Sequence, residues 1–277
     1  MSADLALSVK AHSSLPVSLI TSPSGARLMA GKYPGLFDHF VIADRLESLE
    51  PKKRLVAAKI DAIKSSPYEL AVFLDSDMVC RKDPSFLLDG LTNEDFRIFG
   101  RAYKRDNCSA VIHHGIPAIK LFEEFNLDSY VHSSLGAFGF GAAGGSRVAN
   151  LMEAEEPLWR ERTKKFRESL PAEILFGLIG ERTGVSFYNL PGRFYQVQHM
   201  GFRWSDNVTC LHSAPMRHRE AARLLSGVVS RRRRAGYPVG PSLYWVSELL
   251  NRRAEQAGRS RRQAKAVQRF NERFLAD

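Results

Sequence analysis

The residues in this chain whose type and spacing could do chemistry are Asp75 and Asp77, which close the run Glu69-Leu-Ala-Val-Phe-Leu-Asp-Ser-Asp-Met-Val79. Leu70 to Leu74 is a short apolar run with Val72 and Phe73 inside it, which suits a strand buried on both faces. Continued extension would put Asp75 and Asp77 on one side and turn Ser76 away. Two anions so placed repel unless a cation lies between them. A hard divalent metal that itself holds phosphate oxygens meets that need. The plainer account of a bare D-x-D is a polar strand end that caps the next turn.

The elements that must position this pair follow from the pattern on either side. Asp4 to His12 has the composition of a short helix, and Pro16 to Thr21 reads as the strand after it. Phe37 to Ile42 is a second strand. Pro51 suits a first helical turn, and Leu55, Ala58, Ile60 and Ile63 carry a helical pattern to Ser65, where Ser66-Pro67 ends it. Beyond the D-x-D, Phe96–Ala102 is expected as a strand, Pro117–Phe125 as a helix and Val148–Phe166 as a long charged helix. Pro171–Gly180 is a shorter apolar helix, and Val185–Leu190 and Val208–His212 are late strands. Residues 134–145 are rich in Gly, Ala and Ser, with Phe138 and Phe140 alternating. Strands alternating with helices imply an α/β fold with a mainly parallel sheet flanked by helices. Ligands of such sheets bind beyond the carboxyl ends of the strands, where Asp75 and Asp77 lie.

Composition bounds the rest. A hydrophobic content of 44% is that of a globular protein. No apolar stretch approaches the ~18 residues of a membrane span, and the N-terminus carries no secretory pattern. Cys80, Cys108 and Cys210 are scattered without a C-x-x-C spacing, so reduced thiols in a cytoplasmic setting are expected. From Arg217 to Asp277 the chain holds 15 Lys/Arg against 5 Asp/Glu, which is the whole of its net charge of +10. The expected division is therefore a catalytic domain over 1–216 and a basic helical C-terminal extension over 217–277.

With the D-x-D strand placed, the stretch from about Ala3 to about Pro215 resembles the nucleotide-sugar-dependent glycosyltransferases of the GT-A fold, notably the glycogenin and lipopolysaccharide galactosyltransferase-like group. Lys59 to Val79 carries most of the likeness. The resemblance implies a GT-A-like fold and transfer of a sugar from a nucleotide-diphosphate donor to a hydroxyl acceptor on a glycan, lipid or protein. It implies that Asp75 and Asp77 hold a manganese or magnesium ion on the donor's diphosphate, with His212 of Thr209-Cys-Leu-His-Ser completing the metal site. Lys59 matches the basic residue near the donor. Ser133-Ser134-Leu-Gly136 resembles the segment that usually reads Asn-Ser-Gly and lines the donor sugar, here with His132 or Ser133 in place of the Asn. Glu173 matches the acid that opens a helix beside the reaction centre. The group opens with a base-binding strand ahead of the helix seen at Asp4, and that first strand is absent from this sequence.

The chemistry wants such residues. A nucleoside diphosphate leaves readily when a divalent cation shields it. Two carboxylates with one imidazole favour Mn²⁺ over Mg²⁺. Lys59 would offset phosphate charge, and Glu173 could act as general base if the enzyme inverts. Glu173 is also what a helix dipole favours in any first turn. His113, His114 and His132 have no carboxylate at ligand spacing and read as surface or turn residues. The basic tail admits a solvated helical face, an amphipathic segment on the anionic inner face of a membrane, or nucleic-acid binding, the last without any accompanying motif. Two rivals remain. A haloacid-dehalogenase-like phosphohydrolase shares D-x-D-x-[TV] but needs a G-D-x-x-x-D pair that is missing. A non-catalytic GT-A-like scaffold would not need both acids. An EF-hand loop fails at Cys80.

Overall fold

The computed structural model describes residues 2–49, 51–76, 78–80, 82–109, 111–166, 171–182, 186–188, 195–197, 210–212 and 233–236. In chain order the first elements are α1 (Ser2–Lys10), β1 (Ser18–Thr21), α2 (Pro23–Lys32), β2 (His39–Ile42), α3 (Arg45–Ser48) and α4 (Pro51–Lys64). β3 (Leu70–Leu74), β4 (Met78–Cys80), β5 (Phe96–Lys104), β6 (Ile112–His113), β7 (Ile116–Pro117) and α5 (Ala118–Phe125) follow. Then come β8 (Ser129–Gly141), α6 (Ala142–Thr163), α7 (Ala172–Arg182), β9 (Ser186–Tyr188), β10 (Tyr195–Val197) and β11 (Cys210–His212). Among the described helices none is long and apolar enough to cross a membrane.

The central sheet has the order β3-β8-β5-β9. β8 runs antiparallel to both β3 and β5, while β5 and β9 are parallel, so three strands share a direction and one is reversed. β1 and β2 form a separate parallel pair. β10, β11 and β4 form a third sheet, in which β11 runs antiparallel to β4. The α/β architecture is as the pattern predicts, with the reversed β8 as the departure from a parallel arrangement.

The core is built on the aromatic positions that alternate along β8. Phe138 stacks on Phe73 at a centroid distance of 4.7 Å and packs on Phe96 and Phe176 at 5.5 and 5.4 Å. Offset packing of this kind contributes roughly 0.5–1.5 kcal/mol per pair beyond burial. The stretch 134–145 divides into the end of β8 and the start of α6. Helical propensity alone would delay α6 past Gly144 and Gly145. Those glycines let the first turn lie against the chain at Glu94 and Asp95: a Cβ on Gly144 would come within 2.4 Å of the Asp95 carbonyl oxygen. Packing overrides propensity there.

Three expectations are corrected. β3 is not buried on both faces; Ala71 alone is buried and its neighbours are half-exposed. Among the described residues β3 pairs only with β8 and β1 only with β2. A cavity of about 380 Å³ is lined from both strands, with Leu19 from β1 and Val72 from β3, and with Leu5 of α1 and Leu55 of α4. The Ser18 and Tyr68 hydroxyls meet at 2.7 Å near the starts of both strands. Leu55, expected on the core face of α4, is 68% exposed; the buried face is Val56, Ala57, Lys59, Ile60 and Ile63. The proposed strand end at Asp75 also bends. The Met78 amide donates to the Asp75 carbonyl at 3.0 Å, which closes a turn between β3 and β4, so simple alternation no longer governs where the second acid points.

α7 packs directly on β8 because Gly177 has no side chain. A Cβ there would stand 2.5 Å from the Val131 carbonyl oxygen and 2.7 Å from the Tyr130 ring. Gly177→Ala should therefore destabilise the protein by about 1–3 kcal/mol, seen as a lower midpoint in thermal unfolding. An unchanged midpoint would show that α7 can shift without cost.

Candidate active site

The site begins where β3 ends. The Asp75 amide donates to the Gly136 carbonyl at 2.7 Å, which carries the β3–β8 ladder one step past Leu74↔Ala137. This fixes the first acid of the D-x-D beside the strand segment expected to line a donor. Asp75 also takes an ion pair from Lys59, with Nζ 2.9 Å from its carboxylate. Lys59 is 6% exposed and also lies over the Phe73 ring at 5.2 Å. An ammonium so far from water is tolerated only beside anions. α4 sends it inward because it shares a face with Val56, Ile60 and Ile63.

The second anion is Glu173, in the first turn of α7. Burial alone would push its carboxyl up. A hydrogen bond from His114, the Glu173 backbone amide, and the charges of His114 and Lys59 outweigh that and bring it down to about 2. Ser133, buried on β8, donates its hydroxyl to the Glu173 carbonyl at 3.4 Å. Lys59, Asp75, Ser133, Gly136 and Glu173 are thus brought together by α4, β3, β8 and α7. Ser134 lies on β8 in the same run, and its side chain is outside the described part of the structure.

Asp77 lies outside the described residues. Of His212 the backbone is described: β11 pairs with β4 so that His212 stands opposite Met78, the residue after Asp77. That register carries the third expected ligand to the D-x-D turn. Among the described residues no group of three metal-ligating side chains is assembled. The basic stretch from Arg217 onward lies outside the described residues apart from 233–236.

Of the histidines expected at the surface or in turns, His114 is an exposed turn residue and His113 is not. His113 is buried at 3% exposure. Its Nε2 faces the Ser133 carbonyl at 3.2 Å and its Nδ1 meets the Tyr130 hydroxyl. A carbonyl accepts only, so Nε2 carries the hydrogen and Nδ1 accepts from the phenol. Burial, with help from His132 and His114, brings His113 down to about 3, so it is neutral. Burial holds Tyr130 up as a phenol, which keeps it a donor. His132 is lowered by burial as well, and its ring lies 4.1 Å from that of His113. His114 reaches Glu173, with Nε2 3.4 Å from the carboxylate. The signal available in the sequence was His114-Gly115 itself, a two-residue hairpin turn; its carboxylate partner lies on a distant helix.

The fold was compared with solved structures. A galactosyltransferase, LgtC, in complex with donor and acceptor sugar analogues matches at a TM-score of 0.52 and 13% identity, over 85% of this chain and 91% of that one. Mouse xyloside xylosyltransferase 1 matches at 0.51 and 14% identity, over 78% of this chain and 93% of that one. The chain has a GT-A-like glycosyltransferase fold. No family model matches it, and no curated protein matches it by sequence.

The lowered Glu173 carboxyl has a consequence for stability. A folded value near 2 against an ordinary 4.5 stabilises the fold fully above pH 4.5, and that contribution is lost as pH falls toward 2. Glu173→Gln should cost roughly 3 kcal/mol at most at pH 7, with the deficit vanishing near pH 2. Denaturant unfolding of both proteins across this range checks it, and parallel curves would refute the shift.

Proposed function

We propose that this chain transfers a sugar from a nucleotide-diphosphate donor to a hydroxyl acceptor, with residues 1–216 as the catalytic domain. The observation that carries the reading is the convergence of Asp75, Lys59, Ser133, Gly136 and Glu173 at the carboxyl end of β3 within a GT-A-like fold. The LgtC structure named above holds donor and acceptor sugar analogues, which supports placing a donor and an acceptor in this cleft.

Asp75, Asp77 and His212 would hold a divalent cation, and two carboxylates with one imidazole suit Mn²⁺ or Mg²⁺, the nitrogen favouring Mn²⁺. This reading is supported by Asp75 directly following β3 and by the β11 register, which sets the His212 backbone opposite Met78, the residue after Asp77. Such a cation supplies Lewis-acid shielding of the diphosphate. The protein's own groups do the rest. Lys59 lends positive charge to the donor side from a position where water does not screen it. Gly136 and Ser133, with Ser134 between them and Leu135, form the wall against which a sugar ring lies. Glu173 faces the acceptor as a carboxylate that stays ionised at any working pH. A group titrating near 2 is a weak base. Its contribution is therefore to accept the hydrogen bond of the incoming hydroxyl and to favour positive charge at the anomeric carbon.

The decisive experiment is a panel of UDP- and GDP-sugars with Mn²⁺ or Mg²⁺, read by thermal shift and by donor hydrolysis. One donor should stabilise the protein and be hydrolysed only with metal. Asp75→Ala and Asp77→Ala should each remove metal-dependent hydrolysis. Undiminished turnover in both would refute the assignment.

Residues 217–277 would serve as a basic extension that rests on an anionic membrane surface, at about 1 kcal/mol per basic residue near it. That would set the enzyme on the cytoplasmic face of a membrane. Support comes from the charge and from Leu243, Trp245, Val246, Leu249 and Leu250, which interleave with the basic residues. The full chain should sediment with phosphatidylserine vesicles at low salt and release at high salt. No binding at low salt would rule this out.

A further inference from the structure

His114 occupies an unusual backbone position for the residue it is. It and Gly115 form the two-residue loop between β6 and β7, with φ of +51° and +83°. Positive φ at both places is the pattern of a type I′ hairpin turn, in which Asn-Gly is the common choice. A side-chain residue in that region costs roughly 1–2 kcal/mol relative to glycine. The tip carries an imidazole in spite of that cost.

The hairpin is held firmly beneath. Ile116 is buried at 2% exposure, and the Ala118 amide donates to the Val111 carbonyl at 2.8 Å, fastening the start of α5 behind the turn. His113, one residue earlier, is clamped between Tyr130 and the Ser133 carbonyl, and its ring lies 4.9 Å from that of His114. Such support delivers the His114 ring to the first turn of α7, where Nε2 stands 3.4 Å from the Glu173 carboxylate. The two side chains are 35% and 29% exposed, so the pair is open to solvent and is not sealed in the core. An ion pair formed by chance on an open surface would stabilise little and would need neither a strained turn nor a buried pedestal.

We propose that His114 is a positioning residue for Glu173, holding the carboxylate aimed and ionised at the acceptor side of the cleft. The functional part of this rests on the reading of Glu173 given above. The other groups that face the pair are the neutral His113 and His132, the Tyr130 phenol, and the Lys59 ammonium, which acts on Glu173 from α4. Of these, His114 supplies the hydrogen bond that brings Glu173 down from the ordinary 4.5.

His114→Gly is the variant of choice, because glycine suits the turn and keeps the hairpin folded. Its melting temperature should equal or exceed that of the parent near pH 2, where the pair no longer contributes, and should fall no further at pH 7 than that of Glu173→Gln. The donor KM should be unchanged while kcat falls about 100-fold, as expected when a reacting group loses its alignment. Added imidazole should restore part of the rate, and the acid limb of the pH profile should move upward. Unchanged kcat, or a loss that imidazole does not relieve and that leaves the acid limb in place, would overturn the proposal. A second measurement needs no turnover: NMR titration of carboxyl-¹³C glutamate should find Glu173 near 2 in the parent and closer to 4.5 in the variant. Identical titration in both would overturn the proposal. A shifted titration together with a fully active Glu173→Gln enzyme would instead refute the catalytic reading of Glu173 and uphold the His114 contact.

Discussion

The whole site depends on one desolvated ammonium. Lys59 projects from the apolar face of α4 into a region where water cannot solvate it, and two carboxylates from elsewhere in the fold answer that charge. Moving a charge out of water costs several kcal/mol unless opposite charges are fixed nearby. β3 must therefore end just before Asp75, and α7 must carry Glu173 in its first turn, close to the same point. The arrangement leaves a negative surplus around a positive centre, a suitable starting state for a cleft that receives a cation together with a diphosphate.

Much of the scaffold could be read from the residues alone. β1, β2, β3, β9 and β11 lie within the expected spans, β5 runs past its expected end at Ala102 to Lys104, and α4, α5 and α7 start and stop within a few residues of their expected limits. Those elements carry strong apolar periodicity or a proline or glycine at an end, which are local signals. α2 escaped notice because none of its residues is buried, leaving no hydrophobic period to detect. β4 escaped because it is three residues long and owes its place to pairing with β11, far away in the chain. α6 starts earlier than its composition suggests, since a close contact with Asp95 outweighs the poor helical propensity of its glycines.

The site was legible in the same uneven way. Asp75, Lys59 and Glu173 could be singled out, the first by its strand and the other two by likeness to a known arrangement. The roles of His113 and His114 are not legible in the sequence, because neither has a carboxylate at local spacing. Their partners are a carbonyl on β8, a phenol on β8 and an acid on α7. No pattern of short range could contain those three contacts. The turn that delivers them was visible only as the dipeptide His114-Gly115.

The open edges of β1 and β3 carry a different consequence. Each presents peptide groups toward an apolar trench in which, among the described residues, no strand runs. Strand edges of this kind act as templates, and proteins usually blunt them with charge, proline or a covering segment. Here the flanking side chains include Leu19, Val72 and Leu55, and the charged lining residues Lys59 and Asp75 belong to the candidate site. If molecules of this protein stick together at high concentration, this is the place where the first intermolecular ladder would nucleate, and because Lys59 and Asp75 line the same trench, a charge added along that rim would act on the candidate site as well as on solubility.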